Sequence, residues 1–158
     1  MPSDSYLRLL PASVADAILA STSTARRNFA VACANLSVEH CARAVLGLDD
    51  GGDMTLTQLR DHALAATDPR EVAAIDRQLG RREEHLYAQL CSLRTDDSDA
   101  PYNEYVRLAT QRHAVRALRA ALATDGIAAA ASAAFETLSV TRNEADIEAI
   151  AQRTLPST

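Results

Sequence analysis

The chain has 158 residues, of which 47% are apolar, 4% aromatic and 23% charged, so its size and composition are those of one globular domain. All 16 basic residues are arginine, and 21 acidic residues bring the net charge to −5. A net negative charge argues against a protein that coats nucleic acid or binds an anionic membrane surface through a basic field. The 32 alanines favour helices that pack closely together.

The sequence also bears on the location of the protein. No apolar stretch approaches the roughly 20 residues that a membrane-spanning helix needs, and residues 1–5 hold an acid but no basic residue, unlike a signal peptide. The three cysteines are Cys33, Cys41 and Cys91. The first two lie too far apart on one predicted helix for a disulfide. We therefore expect reduced thiols and a cytoplasmic protein.

Signals for the starts and stops of helices recur along the chain. Four positions pair a capping side chain with an acid or amide three residues later, namely Ser13 with Asp16, Thr55 with Gln58, Asp68 with Glu71, and Thr141 with Glu144. Stop signals follow at Gly47, in the acidic residues 95–100 and at Asp125 with Gly126. The intervening segments predict seven helices, at residues 13–22, 26–47, 55–66, 69–94, 101–124, 127–139 and 142–153.

No segment shows the alternation of apolar and polar residues that is typical of a β-strand. The connections between the predicted helices are short, which favours one domain without linkers. The sequence therefore predicts a single all-α domain over residues 1–158, a helical bundle of six to seven helices. Residues 1–12 and 154–158 are expected to form irregular or flexible ends.

The apolar faces of these helices predict how they pack. Segment 69–94 has one apolar stripe, whereas segment 101–124 has two, which predicts two neighbours for the latter. Segment 26–47 is apolar almost all round, so it is either the central helix of the bundle or a helix covered by a partner. The alanine-rich segment 127–139 offers little side-chain volume, which leaves three interpretations: a closely packed core helix, an interface between subunits, or a tail.

The sequence contains no complete catalytic or metal-binding pattern. None of the four histidines, His40, His62, His85 and His113, has a glutamate three residues before it, which excludes the di-iron bundle pattern. No Cys-x-x-Cys pair, glycine-rich phosphate loop or nucleophile elbow occurs. The sequence therefore predicts no catalytic residue, no metal and no cofactor.

One basic feature stands out on segment 101–124. Arg112, Arg116 and Arg119 are spaced by four and three residues, so they form a ridge that can bind carboxylates or phosphates through bidentate contacts. We interpret it as an interaction ridge, and the alternative is a solvated face paired with acids of a neighbouring helix. Together these features predict a non-enzymatic protein that binds a protein partner, either another protein or itself as a homodimer or larger assembly, and neither nucleic acid nor membrane.

A resemblance to a known family supplies an alternative function. Residues 35–46 resemble the second helix of HEPN domains, and Arg107 with His113 matches the Arg-x4-6-His signature of HEPN ribonucleases. This resemblance implies a helical-bundle dimer in which Arg107 and His113 from both subunits form a composite, metal-independent RNA-cleaving site. It also allows an inactive relative that binds nucleic acid through the same residues.

Overall fold

The computed structural model describes residues 2–44, 55–95, 102–123 and 126–156 of the chain. Within these ranges the chain forms eight helices: α1 (Pro2–Leu7), α2 (Ala12–Ala20), α3 (Ser23–Ala44), α4 (Leu56–Ala65), α5 (Pro69–Thr95), α6 (Tyr102–Leu122), α7 (Gly126–Thr141) and α8 (Glu144–Thr154). The described residues contain no strand, so the predicted all-α fold is confirmed, with one helix more than predicted. The predicted stop signals at Gly47, at residues 96–100 and at Asp125 lie outside the described residues.

Two of the four predicted helix starts are confirmed by their hydrogen bonds. At α4 the Thr55 hydroxyl accepts from the backbone N–H of Gln58 at 3.2 Å, and the Gln58 side chain accepts from the backbone N–H of Thr55 at 2.9 Å. This is a complete capping box. At α5 the Asp68 carboxylate accepts from the backbone N–H of Arg70 at 2.9 Å, and Pro69 is the first helical residue.

The other two predicted caps are wrong. Helix α2 begins at Ala12, one residue before Ser13, so Pro11 is the N-cap residue, and its carbonyl accepts from the backbone N–H groups of Val14 and Ala15. At α8 the Asn143 side chain accepts from the backbone N–H of Ala145 at 3.1 Å, so Asn143 is the cap in place of Thr141. Helix α7 consequently runs two residues beyond its predicted end.

The connection between α7 and α8 includes a left-handed arginine. Arg142 has φ 55°, and its N–H donates to the carbonyl of Leu138 at 2.7 Å, which closes the last turn of α7. A non-glycine residue in this conformation costs about 1–2 kcal/mol. Glycine avoids this cost, but its greater freedom in the unfolded chain cancels part of the gain in stability. We therefore expect Arg142→Gly to raise the free energy of unfolding by about 0.5 kcal/mol in urea denaturation.

Arg77, an exposed residue inside α5, provides the control. Arg77→Gly should lower the free energy of unfolding by about 1 kcal/mol, because glycine is a poor residue for a helix interior. Equal destabilisation by Arg142→Gly and Arg77→Gly would contradict the strain assigned to Arg142.

Helix α3 is the centre of the bundle, with α4, α6, α7 and α8 packed around it. The interpretation of segment 26–47 as a central helix is therefore confirmed for the residues that the structure describes, up to Ala44. Helix α5 packs mainly against α6, and α6 has α3, α5 and α7 as its principal neighbours. Helix α6 therefore has three principal neighbours, where its two apolar stripes predict two.

Helix α7 is a core helix, which confirms one of the three interpretations of its alanine-rich sequence. Five of its alanines are buried: Ala129, Ala130, Ala131, Ala133 and Ala134. Its contact with α3 is also made by small polar residues, because Ser37 donates to the Thr137 hydroxyl at 2.7 Å and Thr137 donates to the Cys33 carbonyl at 3.0 Å. Small side chains on both helices allow this direct hydrogen bonding between them.

Helix α1 occupies residues that the sequence predicts to be irregular. Six residues are too few for a helix that is stable by itself, so α1 depends on packing against the rest of the protein. Tyr6 supplies that packing, since its ring centroid lies 5.1 Å from that of Phe135 on α7. None of the described helices has the length and apolar character needed to cross a membrane.

Candidate functional site

The arginines of the predicted ridge face α5. Arg119 Nε lies 3.0 Å from Asp76 Oδ1, and Arg119 Nη1 lies 2.9 Å from Glu83 Oε2. The hydrogen bond to Asp76 is the largest cause of a raised pKa of Arg119, and the bond to Glu83 adds to it. Arg119 is therefore held in place by two acids that lie seven residues apart on α5.

Arg116 and Arg112 share the same acidic neighbour. Arg116 Nε lies 3.7 Å from Glu83 Oε1, and Arg112 Nη2 lies 3.9 Å from the same oxygen. The guanidinium of Arg112 also stacks over the ring of Tyr87, 4.9 Å from its centroid. The ridge thus carries counter-ions from the neighbouring helix, as the alternative interpretation of the sequence expects.

A buried carboxylate lies beneath this ridge. The side chain of Glu136, on α7, is 1% exposed, and its Oε2 lies 2.6 Å from Nδ1 of His113. Its Oε1 lies 3.0 Å from Arg116 Nε, at an angle that makes the contact an ion pair without a hydrogen bond. A carboxylate beside Nδ1 favours the tautomer that has its proton on Nδ1, which leaves Nε2 as the acceptor of a neutral His113.

Glu136 is not among the site residues that the sequence predicts, although the sequence holds one signal for it. Glu136 is the only charged residue in segment 127–139. A helix of alanines that packs in the core must bury the side chains beside those alanines, and a buried carboxylate requires partners. The basic residues of α6 were the available partners, and the structure places two of them, His113 and Arg116, against it.

Arg107 and His113, the pair of the alternative HEPN interpretation, are directed to different neighbours. Arg107 donates to both carboxylate oxygens of Glu104, at 3.0 and 2.6 Å, and this hydrogen bonding lowers the pKa of Glu104. His113 is directed to Glu136 on α7. Residues six apart on a helix lie about 120° apart around its axis, so this chain alone does not bring the two side chains together.

An open cleft lies where the first half of α5 meets the second half of α6. Its volume is about 1010 Å³, and we call it the α5–α6 cleft. Apolar side chains line part of it, among them Val72, Ala120 and Leu122. Its charged lining residues are Arg27, Arg116, Arg119, Asp76 and Glu83.

Arg27 differs from the other arginines of the cleft. It lies on α3, it is exposed, and it forms no ion pair with a described residue. Acids hold the guanidinium groups of Arg116 and Arg119 in position, whereas no described acid is paired with the N–H groups of Arg27. The cleft therefore holds three arginines against two lining carboxylates, and the excess positive charge is at Arg27.

Two further observations limit what the site can be. Among the described residues, no three His, Cys, Asp or Glu side chains are grouped so that they could hold a metal ion. Neither protein-family models, curated proteins nor solved structures give a match to this chain.

Proposed function

We propose that the protein binds an acidic segment of a partner protein in the α5–α6 cleft. The observation that carries this proposal is the exposed guanidinium of Arg27 beside a cleft in which Arg116 and Arg119 are already fixed by acids. Fixed arginines lose little side-chain entropy when they bind, and a carboxylate can accept two parallel hydrogen bonds from each.

The size and lining of the cleft favour a peptide over a compact cofactor. Its volume of about 1010 Å³ is at the upper limit for small-molecule pockets. Several lining residues, including Arg27, Ala73 and Ala123, are exposed, so a ligand in the cleft would stay in contact with water. An apolar surface next to charged side chains suits a segment that has both apolar and acidic residues.

The charges of the cleft support an acidic ligand. Arg119 uses three of its five N–H groups on Asp76 and Glu83, and its side chain is 37% exposed, so donors remain for a ligand.

The same cleft is poorly suited to nucleic acid. A phosphate backbone carries a charge on every nucleotide and needs several uncompensated cations, whereas Arg27 is the one arginine among the described lining residues without an acidic partner. No aromatic residue is among its described lining residues to stack on a base. The net charge of −5 also opposes binding to a polyanion. A folded protein that offers a short acidic segment is the partner that best fits these features.

A random peptide display library is the probe for this proposal. The wild-type protein should select peptides in which at least two Asp or Glu residues lie next to apolar residues. Arg27→Glu should lose this selection, because it reverses the charge that has no counter-ion among the described residues. Arg153→Glu, which changes an exposed arginine on α8 outside the cleft, should retain it.

Two results would overturn the proposal. The first is that the wild type selects no peptide above background, or selects peptides without acids. The second is that Arg27→Glu selects the same peptides as the wild type. Light scattering of the purified protein tests the separate expectation of self-assembly, and a strictly monomeric protein would contradict that expectation.

A further inference from the structure

A small pocket opens beside the α5–α6 cleft, where the first turns of α3 and α7 meet the end of α6. Its volume is about 270 Å³, and we call it the α3 pocket. Four residues of α3 supply its polar lining, namely Ser23, Thr24, Arg26 and Arg27, and its other described lining residues are alanine or glycine. Arg27 and Ala123 also line the cleft. No acid is among the residues of the described ranges that line the α3 pocket.

Arg26 brings a fixed positive charge to this pocket. Its Nε donates to the carbonyl of Ile18 at 2.7 Å, and its Nη2 donates to the carbonyl of Leu19 at 3.0 Å. These carbonyls hold the guanidinium in position but carry no net charge, and no described acid is paired with Arg26. The remaining nitrogen, Nη1, lies 3.9 Å from the position that a Cβ on Gly126 would occupy. The charge of Arg26 is therefore held at the pocket without a described counter-ion.

Arg27 supplies a second charge that no described acid offsets. Ser23 and Thr24 add hydroxyl groups, which form no hydrogen bond within the described part of the chain. Arginine binds phosphate oxygens through bidentate hydrogen bonds, and hydroxyl groups donate to the same kind of oxygen. Two guanidinium groups and two hydroxyl groups therefore suit a tetrahedral dianion better than a single carboxylate.

The dimensions of the α3 pocket favour a phosphate group over a larger ligand. Its volume lies just below the range of roughly 300–1,000 Å³ that is usual for pockets of organic ligands. The pocket is narrow at Gly126, where an added Cβ would lie 3.4 Å from Cδ of Arg26. In the cleft, by contrast, Asp76 and Glu83 already compensate the charge of Arg119. A small dianion should therefore bind in the α3 pocket and not in the cleft.

We propose that the α3 pocket binds a phosphate group through Arg26, Arg27, Ser23 and Thr24. The phosphate has two potential sources, which are free inorganic phosphate and a phosphorylated serine or threonine of a protein segment. The shared Arg27 places the pocket next to the cleft, so a segment bound there is a suitable carrier of the phosphorylated residue. The proposal does not rest on the peptide-binding function, because inorganic phosphate tests the pocket without any peptide.

The first experiment titrates the ¹⁵N-labelled protein with inorganic phosphate at pH 8, where phosphate is mainly a dianion. Sodium chloride keeps the ionic strength constant. The amide signals of Ser23, Thr24 and Gly126 should shift and reach saturation, and the titration gives the Kd. Acetate under the same conditions should bind at least about tenfold more weakly, because it has one negative charge and fewer acceptor oxygens.

Thr24→Glu tests the pocket by placing a carboxylate among its arginines. It should weaken phosphate binding at least about tenfold, as the loss of one charge-assisted interaction implies. Thr24 lies two residues after Thr22, whose hydroxyl accepts from the N–H of Ala25 at 3.2 Å. The matched control is Thr57→Glu, since Thr57 holds the same position after the capping Thr55 on α4 and lines neither the pocket nor the cleft. An acid in the first turn of a helix is favourable, so both variants should fold, and their ¹H–¹⁵N spectra check this.

The second experiment distinguishes the two sources of phosphate. It compares a library of random peptides that have a fixed central phosphoserine with the same library that has serine instead. A phosphorylated protein segment as the source predicts at least about tenfold stronger retention of the phosphoserine library by the wild type. Thr24→Glu should then remove this difference, whereas Thr57→Glu, which has the same net charge, should keep it. Equal retention of the two libraries by a protein that binds inorganic phosphate would assign the site to free phosphate.

Two results would overturn the proposal. The first is that inorganic phosphate causes no saturable shift at Ser23, Thr24 and Gly126 in the wild type. The second is that folded Thr24→Glu binds phosphate as tightly as the wild type does. Neither result bears on the cleft, because the selection of acidic peptides there is measured without phosphate.

Discussion

Glu136→Gln should lower the free energy of unfolding by about 3 kcal/mol, measured by urea denaturation at pH 7. Removing one partner of a buried ion pair costs about 3–5 kcal/mol, because the remaining charge is left without its counter-ion. The lower end applies because Arg116 and His113 are 32% and 31% exposed and can turn toward water. Glutamine retains the shape of the side chain, so the loss reports the charge and not a cavity.

Glu84→Gln is the matched control, since Glu84 is an exposed glutamate on α5. It should change the free energy of unfolding by no more than about 0.5 kcal/mol. If Glu136→Gln behaves like Glu84→Gln, the carboxylate does not hold α6 and α7 together, and the orientation assigned to His113 loses its basis.

Ala130→Leu should lower the free energy of unfolding by about 3 kcal/mol. Ala130 is fully buried, and it lies seven residues before Thr137, so it shares the face of α7 that contacts α3. Overpacking a filled core costs about 1–3 kcal/mol, and the upper end applies where two helices contact through small side chains. For a chain of this length the expected fall in Tm is about 6–12 °C by thermal denaturation.

Ala149→Leu makes the same change on an exposed face of α8. It should alter the free energy of unfolding by less than about 0.5 kcal/mol, because both residues are good helix formers. A loss at Ala149 as large as that at Ala130 would show that leucine is unfavourable for a reason other than the α3–α7 contact.

Local signals explain how much of the fold could be predicted. The capping box at Thr55 and the Asp68 cap are interactions within a few residues, so the sequence predicts them correctly. Helix α1 could not be predicted in the same way, because its six residues have no cap or periodic pattern that marks a helix. It packs on the core through contacts such as that of Tyr6 with Phe135, which join residues far apart in the sequence.

The candidate site also has features that local sequence spacing predicts and features that depend on tertiary packing. The spacing of Arg112, Arg116 and Arg119 predicts a ridge, but their partners depend on how α5 and α6 are rotated about their axes. Glu136 and His113 come into contact only because α7 packs against α6. Such placements arise from tertiary packing, which helical periodicity in one segment does not encode.

A charge-reversal experiment tests whether Arg27 provides the charge that binds an acidic partner segment. Isothermal titration calorimetry compares a selected acidic peptide with a second peptide in which one acid is replaced by lysine. Arg27→Glu should weaken binding of the acidic peptide at least about tenfold, and the lysine peptide should recover at least about half of that loss in free energy. Unchanged affinity of Arg27→Glu for the acidic peptide would contradict the claim.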